Sequence, residues 1–443
     1  MSTAIPTAMV AQFEAVCLGL SMEAQRWVDA PLAQLETALL AAIRKLLPQL
    51  LETLVRATQR SLSPARERQQ WRCPRCGRAV RIQSWRQREV LTTCGLLRYE
   101  RPWCSCQGCR HGFSPTDASL GIATYQRLSA GLAAQVTAVG ATTSFAQAAD
   151  LLEQLTGMRV SAETVRSTTE SSGAALEVAQ QAVIREVAER REAPAPLDPA
   201  PGQLVVETDG VMVRYRSTDW HEVKIALAGG YVEGKLLAKS YTAARAAPEL
   251  FGPRLLAEAA RRGALDIVAW EGSPLQRRLA VLRTVVVLGD GARWIWNLAA
   301  EHFSERVEIV DWYHASQHLS EVAKAVYGDG ARAQQQADRW RTALSERGAA
   351  PVRRALAAVR APTPEAMLVL RRERGYFRTN AARMAYPAFR AAGYPIGSGA
   401  IESSARHVVQ QRLKRAGCRW SEAGAQSILN VCCQRASHQP AAA

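Results

Sequence analysis

Two Cys-x-x-Cys pairs, Cys73-Pro-Arg-Cys76 and Cys106-Gln-Gly-Cys109, carry the clearest chemistry in the chain. Two residues between thiols let both sulfurs reach one ion, and two such pairs close a tetrahedral shell around zinc. With no open coordination position, such a Zn2+ would be structural and would present a DNA-binding module. Cys94, Cys104 and His111 stand close enough in sequence to replace one ligand, and the set stays open on that point.

A second constellation is built from acids far apart in sequence. Asp209 lies in Glu207-Thr208-Asp209-Gly210, Asp290 in Leu288-Gly289-Asp290-Gly291, and Glu402 in Gly397-Ser398-Gly399-Ala400-Ile401-Glu402-Ser403. Clustered carboxylates repel one another and take up protons unless a cation holds them. Hard oxygen ligands with positions to spare for phosphate suit a pair of Mg2+ ions, or Mn2+, and in-line phosphodiester hydrolysis and strand transfer is the chemistry such a pair supports. Taken singly each acid has a plain structural reading, since Asp-Gly is a common turn and Glu402 could cap a helix. Glu207 shares a strand face with Asp209 and is its rival as first ligand. His314 and His318 are spaced like a metal pair, but Ala315 stands where a zinc protease has Glu, which disfavours a protease.

For the acids to meet, their segments must be neighbours in one sheet. Residues 204–213, 222–228 and 235–241 read as strands, with Gly229 and Gly230 marking the turn between the last two. Helical pattern follows over 248–262, then a buried β-branched strand at 284–288, a helix at 292–303 and a strand at 307–310. From 314 to about 392 the pattern is only helical. That order predicts an α/β fold with a ribonuclease-H-like mixed sheet and an all-helical insertion at about 315–392. The first strand and the later parallel strand are neighbours in such a sheet, so Asp209 and Asp290 would meet, with Glu402 delivered by a following helix.

The remaining chain divides around this domain, placed at 203–435. Prolines 194, 196, 199 and 201 make 193–202 a stiff linker. In an N-terminal helical region, 1–68, Leu32, Leu35, Leu39, Ile43, Leu46, Leu50 and Leu54 share one helix face, which Pro48 is expected to kink. That face is expected to pack on its own domain, with a dimerising coiled coil as the alternative. The polar, Arg-rich run 61–70 leads into the zinc-ribbon module, 69–118. In 119–192, Ser144 with Gln147, Gly157 and Ser161 mark two short helices around a turn, the outline of a helix-turn-helix. Residues 436–443 read as an unstructured tail.

Lys and Arg number 56 against 40 acids, a formal net charge of +16. The excess is concentrated in 56–110 and 351–420, where Arg dominates. Guanidinium groups pair with phosphate through two parallel donors, so nucleic acid is the expected partner. Arg81, Arg86 and Arg88 between the knuckles, and Arg406, Arg412, Lys414 and Arg415 after Glu402, are the expected contacts. No apolar run is long enough to span a membrane and no export signal opens the chain, so a cytoplasmic, nucleoid-associated protein is expected. Cys17, Cys418, Cys432 and Cys433 read as core thiols.

Taken together, Glu207-Thr208-Asp209-Gly210-Val211, Trp220-His221-Glu222-Val223-Lys224, Gly289-Asp290-Gly291-Ala292 with Trp294-Ile295-Trp296-Asn297, Asp311-Trp312-Tyr313-His314 and the Glu402 segment resemble the DDE transposases of the ISKra group of bacterial insertion sequences. The resemblance runs from the cysteine knuckles to about Arg435. It implies a ribonuclease-H-like catalytic domain with a helical insertion and magnesium-dependent transposition. It also implies a triad of Asp209, Asp290 and Glu402, with Asp311 and His314 as accessory residues. Double-stranded DNA, at the element ends and the target, would be bound by a homo-oligomer. Two rival expectations are a nuclease without strand transfer and a zinc-dependent DNA-binding regulator with an inert catalytic domain.

Overall fold

The computed structural model describes residues 7–59, 71–188, 200–216, 219–269, 277–281 and 283–437. The Arg-rich run 61–70, most of the 193–202 linker and nearly all of the tail lie outside them. The chain is a mixed α/β protein that divides into two units, Met1–Thr168 and Thr169–Ala443.

In the first unit α1 (Thr7–Met22) and α2 (Leu32–Thr58) precede five strands. These are β1 (Trp71–Arg72), β2 (Ala79–Val80), β3 (Ile82–Thr92), β4 (Gly95–Ser105) and β5 (Gly112–Phe113), paired as β1-β2 and as an antiparallel β3-β4-β5 sheet. Helix α2 runs unbroken through Pro48. Of its apolar stripe, Leu46 is buried, while Leu32, Leu35, Leu39, Ile43 and Leu54 are exposed, so packing within the unit covers only part of that face. Then come α3 (Pro115–Ser119), α4 (Ala130–Gly140), α5 (Phe145–Thr156) and α6 (Ala162–Ala188). The expected caps form: Ser144 Oγ accepts from Gln147 N–H, Ser161 Oγ accepts from Thr164 N–H at 3.1 Å, and Gly157 ends α5 in the left-handed region. The second helix of the expected pair is 27 residues long, not short.

The division between units falls inside α6 and not at the proline-rich linker. Residues 169–188 belong with the second unit because they pack on its last helix, α16 (Glu422–Ala436): Asn430 Nδ2 donates to Gly173 O at 3.0 Å and to Glu177 at 2.9 Å.

The second unit is centred on a five-stranded sheet of order β12-β11-β6-β7-β8. Strands β6 (Gln203–Tyr215), β7 (Asp219–Val232) and β8 (Lys235–Ala244) form an antiparallel meander, and β11 (Val285–Gly289) and β12 (Arg306–Val310) add in parallel beside β6. All five residues of β11 are buried, as an apolar β-branched run requires. Gly229 and Gly230 do not form the turn expected of them. They sit within β7 at a register shift, and the turn is Glu233-Gly234, both at positive φ, the two-residue geometry that matches strand twist.

Helix α7 (Pro248–Arg261) follows β8, and the sequence reading missed a hairpin of β9 (Leu265–Ala269) and β10 (Arg277–Val281) before β11. Helix α8 (Arg293–His302) links β11 to β12. Helices α9 (Trp312–Tyr327), α10 (Ala331–Arg347), α11 (Ala349–Ala358), α12 (Pro364–Thr379) and α13 (Tyr386–Ala391) fill the expected helical insertion. The chain returns through α14 (Gly399–Ser404), a π-helical turn at Ala405–Gln410 and the short α15 (Gln411–Leu413). No helix among the described residues is long and apolar enough to cross a membrane.

Candidate functional site

Parallel pairing brings the first two acids together. Leu288 of β11 is in register with Glu207 of β6, so continuing each strand by two residues sets Asp290 beside Asp209. Each carboxylate is half-satisfied by local backbone: Asp209 Oδ1 accepts from Gly210 N–H and Asp290 Oδ1 from Ala292 N–H, both at 2.7 Å. Burial raises the Asp209 carboxyl above its ordinary value, and the charges of Asp290 and Glu402 push it further, against the pull of Gly210 N–H and His314. No lysine or arginine among the described residues forms an ion pair with Asp209, Asp290 or Glu402. The three are therefore electrostatic neighbours that no lysine or arginine among the described residues balances. Their oxygens do not all fall within 4.8 Å of one another, the spread at which one ion takes them all. Carboxylates that share two ions about 3.5–4 Å apart need not converge so tightly.

Glu207, the rival of Asp209, is engaged elsewhere. It is 2% exposed, and its Oε2 accepts from Ile401 N–H at 2.8 Å, in the first turn of the helix that carries Glu402. Burial pushes its carboxyl up to about 8, with Asp311 and Glu402 adding to the rise against the Ile401 N–H and Lys239. Buried and bonded to the backbone of the helix that carries Glu402, Glu207 acts as a clamp on α14. Asp311 is a second clamp. Its Oδ1 accepts from His314 N–H at 2.6 Å as the N-cap of α9, and its Oδ2 accepts from Ser398 N–H just before α14. Trp312 N–H also donates to Ile396 O at 2.9 Å. Between them these bonds fix a segment that must approach β6 from almost two hundred residues away. Glu207→Ala orphans a buried N–H and is expected to lower stability by about 1–3 kcal/mol. Glu207→Gln keeps an acceptor and should melt near the native temperature. Equal losses in the two thermal melts would show that the bond to Ile401 is not made.

The insertion reaches the second acid. Tyr376 of α12 donates its hydroxyl to Asp290 O at 2.9 Å, and its ring stacks on His318 with centroids 3.9 Å apart. Burial, then the charges of Asp290, Asp311 and Glu373, raise the Tyr376 hydroxyl, which keeps it a donor. Gly291 turns beneath this ring at φ 103°, and a Cβ there would meet the ring at 2.6 Å. Gly291→Ala therefore combines a disfavoured backbone with a clash. It should cost about 1–3 kcal/mol in chemical denaturation, and a near-zero cost would mean that the turn relaxes freely. His318 is consumed by the insertion, its Nδ1 lying 2.6 Å from Glu373. His318, Glu321 and Glu373 form a compact group, but Arg372 ion-pairs with both carboxylates and balances the charge without a metal ion.

The basic residues separate into two sets. Arg81, Arg86, Arg406 and Lys414 are exposed, with Arg86 lying 4.3 Å over the Trp103 ring and Lys414 5.7 Å over Trp220. Arg415 is half-buried. Arg88 is spent on structure, donating to the carbonyls of Ala123, Thr124 and Gln126. Arg412 departs from expectation: it is 2% exposed and lies over Trp420 at 4.8 Å, in no position to meet a DNA backbone. In an unbroken α-helix residue 413 would fall under exposed Glu402, three turns on. The π turn adds a residue, so Leu413 turns inward and Lys414 takes the outer place.

In the first unit, the four cysteines of the two knuckles meet. Cys73, Cys76, Cys106 and Cys109 place their sulfurs within 4.8 Å of one another, with Cys73–Cys109 at 3.5 Å and Cys76–Cys106 at 3.4 Å. Sulfurs at 2.3 Å around a tetrahedral zinc lie roughly 3.8 Å apart, so this cluster can hold a metal ion and accords with structural zinc. The Cys109 backbone N–H outweighs burial and, with the Cys76 thiol and the Gly108 N–H, lowers the Cys106 thiol to about 6, toward the ligating thiolate. The substitutes fall away: Cys104 is buried outside the cluster, its thiol raised by burial, His111 stacks on Phe113, and Cys94 lies in the β3–β4 turn.

Sequence reasoning missed the clamp made by Glu207 and the reach of Tyr376, because neither has a local signal. The family described as Uncharacterised protein family (UPF0236) matches residues 25–356. No curated protein matches the chain.

Proposed function

The chain belongs to the UPF0236 family, and from that premise we propose that it is a DNA transposase that cleaves and joins strands at the ends of a bacterial insertion sequence. One observation carries the reading: Asp209 sits in the field of Asp290 and Glu402, with no lysine or arginine among the described residues paired to any of the three. The strand order β12-β11-β6-β7-β8, interrupted by five helices before Glu402, supports a ribonuclease-H-like catalytic domain.

Asp209, Asp290 and Glu402 would hold Mg2+ or Mn2+, which supplies charge neutralisation and activation of the attacking and leaving oxygens of an in-line displacement. Asp209 and Asp290 each commit one oxygen to a backbone N–H, which orients the other toward the shared space. Glu207 and Asp311 hold the Glu402 helix against β6 and β12, so the third acid is set in place before DNA arrives. His314, at the start of α9, lies near enough to Asp209 to favour its charged form. Arg406 and Lys414 take the phosphates flanking the cleaved bond, and the four-cysteine module, with structural Zn2+, presents Arg81 and Arg86 to DNA. In this reading the chain works as a homo-oligomer on double-stranded DNA, in the cytoplasm, with Asp311 and His314 as accessory residues beside the three acids.

Incubating the protein with Mg2+ and duplexes bearing the flanking ends of its own gene tests this reading. Joined strand-transfer products on a sequencing gel support it. Nicks without joining would establish a nuclease, and bound but uncut DNA a regulator.

A further inference from the structure

A groove of about 420 Å3 opens between α11 and α12 in the helical insertion. Arg353, Arg354, Arg374 and Arg378 line it, no acid does, and Leu356 and Phe377 form a buried apolar floor. Arg374 builds the groove. Its guanidinium donates to the carbonyls of Leu356 at 2.7 Å, Ala357 at 3.1 Å and Val359 at 2.8 Å, capping the C-terminal end of α11 and tying it to α12. Arg353, Arg354 and Arg378 are exposed and make no side-chain hydrogen bond or ion pair among the described residues. Arg371 lies one turn before Arg374 on α12, so 371, 374 and 378 step along one helix face.

Surface arginines are usually interspersed with acids, and like charges held together repel. Glu373, the acid beside Arg374 in sequence, is already paired to Arg372, and no acid lines the groove itself. Guanidinium groups spread over two helices follow an extended chain of phosphates better than a single compact anion, and the apolar floor suits the sugar between phosphates.

We propose that this groove is a sequence-independent docking surface for the phosphodiester backbone of double-stranded DNA. The inference rests on the transposase reading and deepens it, because it gives the insertion a substrate contact besides its support of Asp290. The groove binds DNA through three arginines free for phosphate, while Arg374 maintains its shape.

The test uses the full chain and a fluorescein-labelled duplex of arbitrary sequence, titrated at several salt concentrations. Each lost phosphate contact flattens the slope of log affinity against log salt by about 0.9. The triple variant Arg353→Ala/Arg354→Ala/Arg378→Ala should flatten it by roughly 2–3 and weaken binding at least ~10-fold, with circular dichroism and melting unchanged. The triple Lys variant should retain most of the slope. The single variant Arg354→Glu, on an exposed helix surface, gives a second measure should the triple variant melt early, with a flattening of about 1 or more. An unchanged slope in the folded alanine or glutamate variant overturns the proposal. Asp290→Asn, assayed in parallel for strand cleavage, keeps the two ideas apart: cleavage lost there with an unchanged arginine slope defeats the groove alone. Cleavage retained there defeats the transposase reading while leaving the binding result to be judged on its own.

Discussion

Asp290→Asn is expected to bind duplex DNA as the native protein does and to lose more than ~100-fold in strand cleavage. Removing a residue behind a metal ligand typically costs 10–100-fold, so removing a ligand should cost more. The substitution keeps the side chain's shape and its bond to Ala292 N–H, which confines the change to charge. Asp209→Asn should do the same and adds a stability signature. Burial and neighbouring charge raise the Asp209 carboxyl above 3.8, so the folded state holds its proton longer than the unfolded chain does. By linkage, metal-free stability declines as pH climbs through the raised value. Asp209→Asn abolishes that decline and raises the metal-free melting temperature. Mg2+ at a hundred times its dissociation constant should stabilise the native protein by about 2.7 kcal/mol. In Asp209→Asn most of that gain should disappear. Calorimetry with and without Mg2+ measures both, and an ion response that persists in the variant would remove the triad as the binding site.

Chelation should unfold the β1–β5 module, since a structural zinc of this kind contributes on the order of 10 kcal/mol to folding. Cys73→Ser and Cys106→Ser should each bring bound zinc from one per chain toward none and collapse near-ultraviolet circular dichroism from Trp71, Trp85 and Trp103. Cys94→Ser, in the β3–β4 turn outside the cluster, should keep its zinc. Cys104→Ala should keep zinc too while losing packing, because Cys104 is fully buried in β4. Elemental analysis decides this: zinc retained in Cys73→Ser but lost in Cys94→Ser would reassign the ligand set. Loss of duplex affinity should accompany loss of zinc, because Arg81 and Arg86 lie on the strands and turns that the cluster holds.

Some features follow from local sequence alone. The knuckles were legible because a two-residue gap acts within a single turn of chain, and a metal-ready cluster forms from the four cysteines it names. Strands β6, β8, β11 and β12 and the caps at Ser144 and Ser161 were legible for the same reason, since alternation and capping depend on neighbours a few residues away. The β9–β10 hairpin was missed, and Gly229-Gly230 was misread as a turn, because a glycine pair signals either a turn or a bulge and only the partner strand decides.

Tertiary structure alone decided what each charged group does. Glu207 and Asp209 share a strand face, yet one bonds a backbone N–H 194 residues away and the other faces two acids. Arg412 and Lys414 read alike in a basic run, yet the first is buried over Trp420 and the second is exposed. Residue type and spacing fix which chemistry is available, because they set charge, donors and period. Burial and long-range neighbours set dielectric and partner, so they select which of those available groups is spent on holding the fold and which is left free to act.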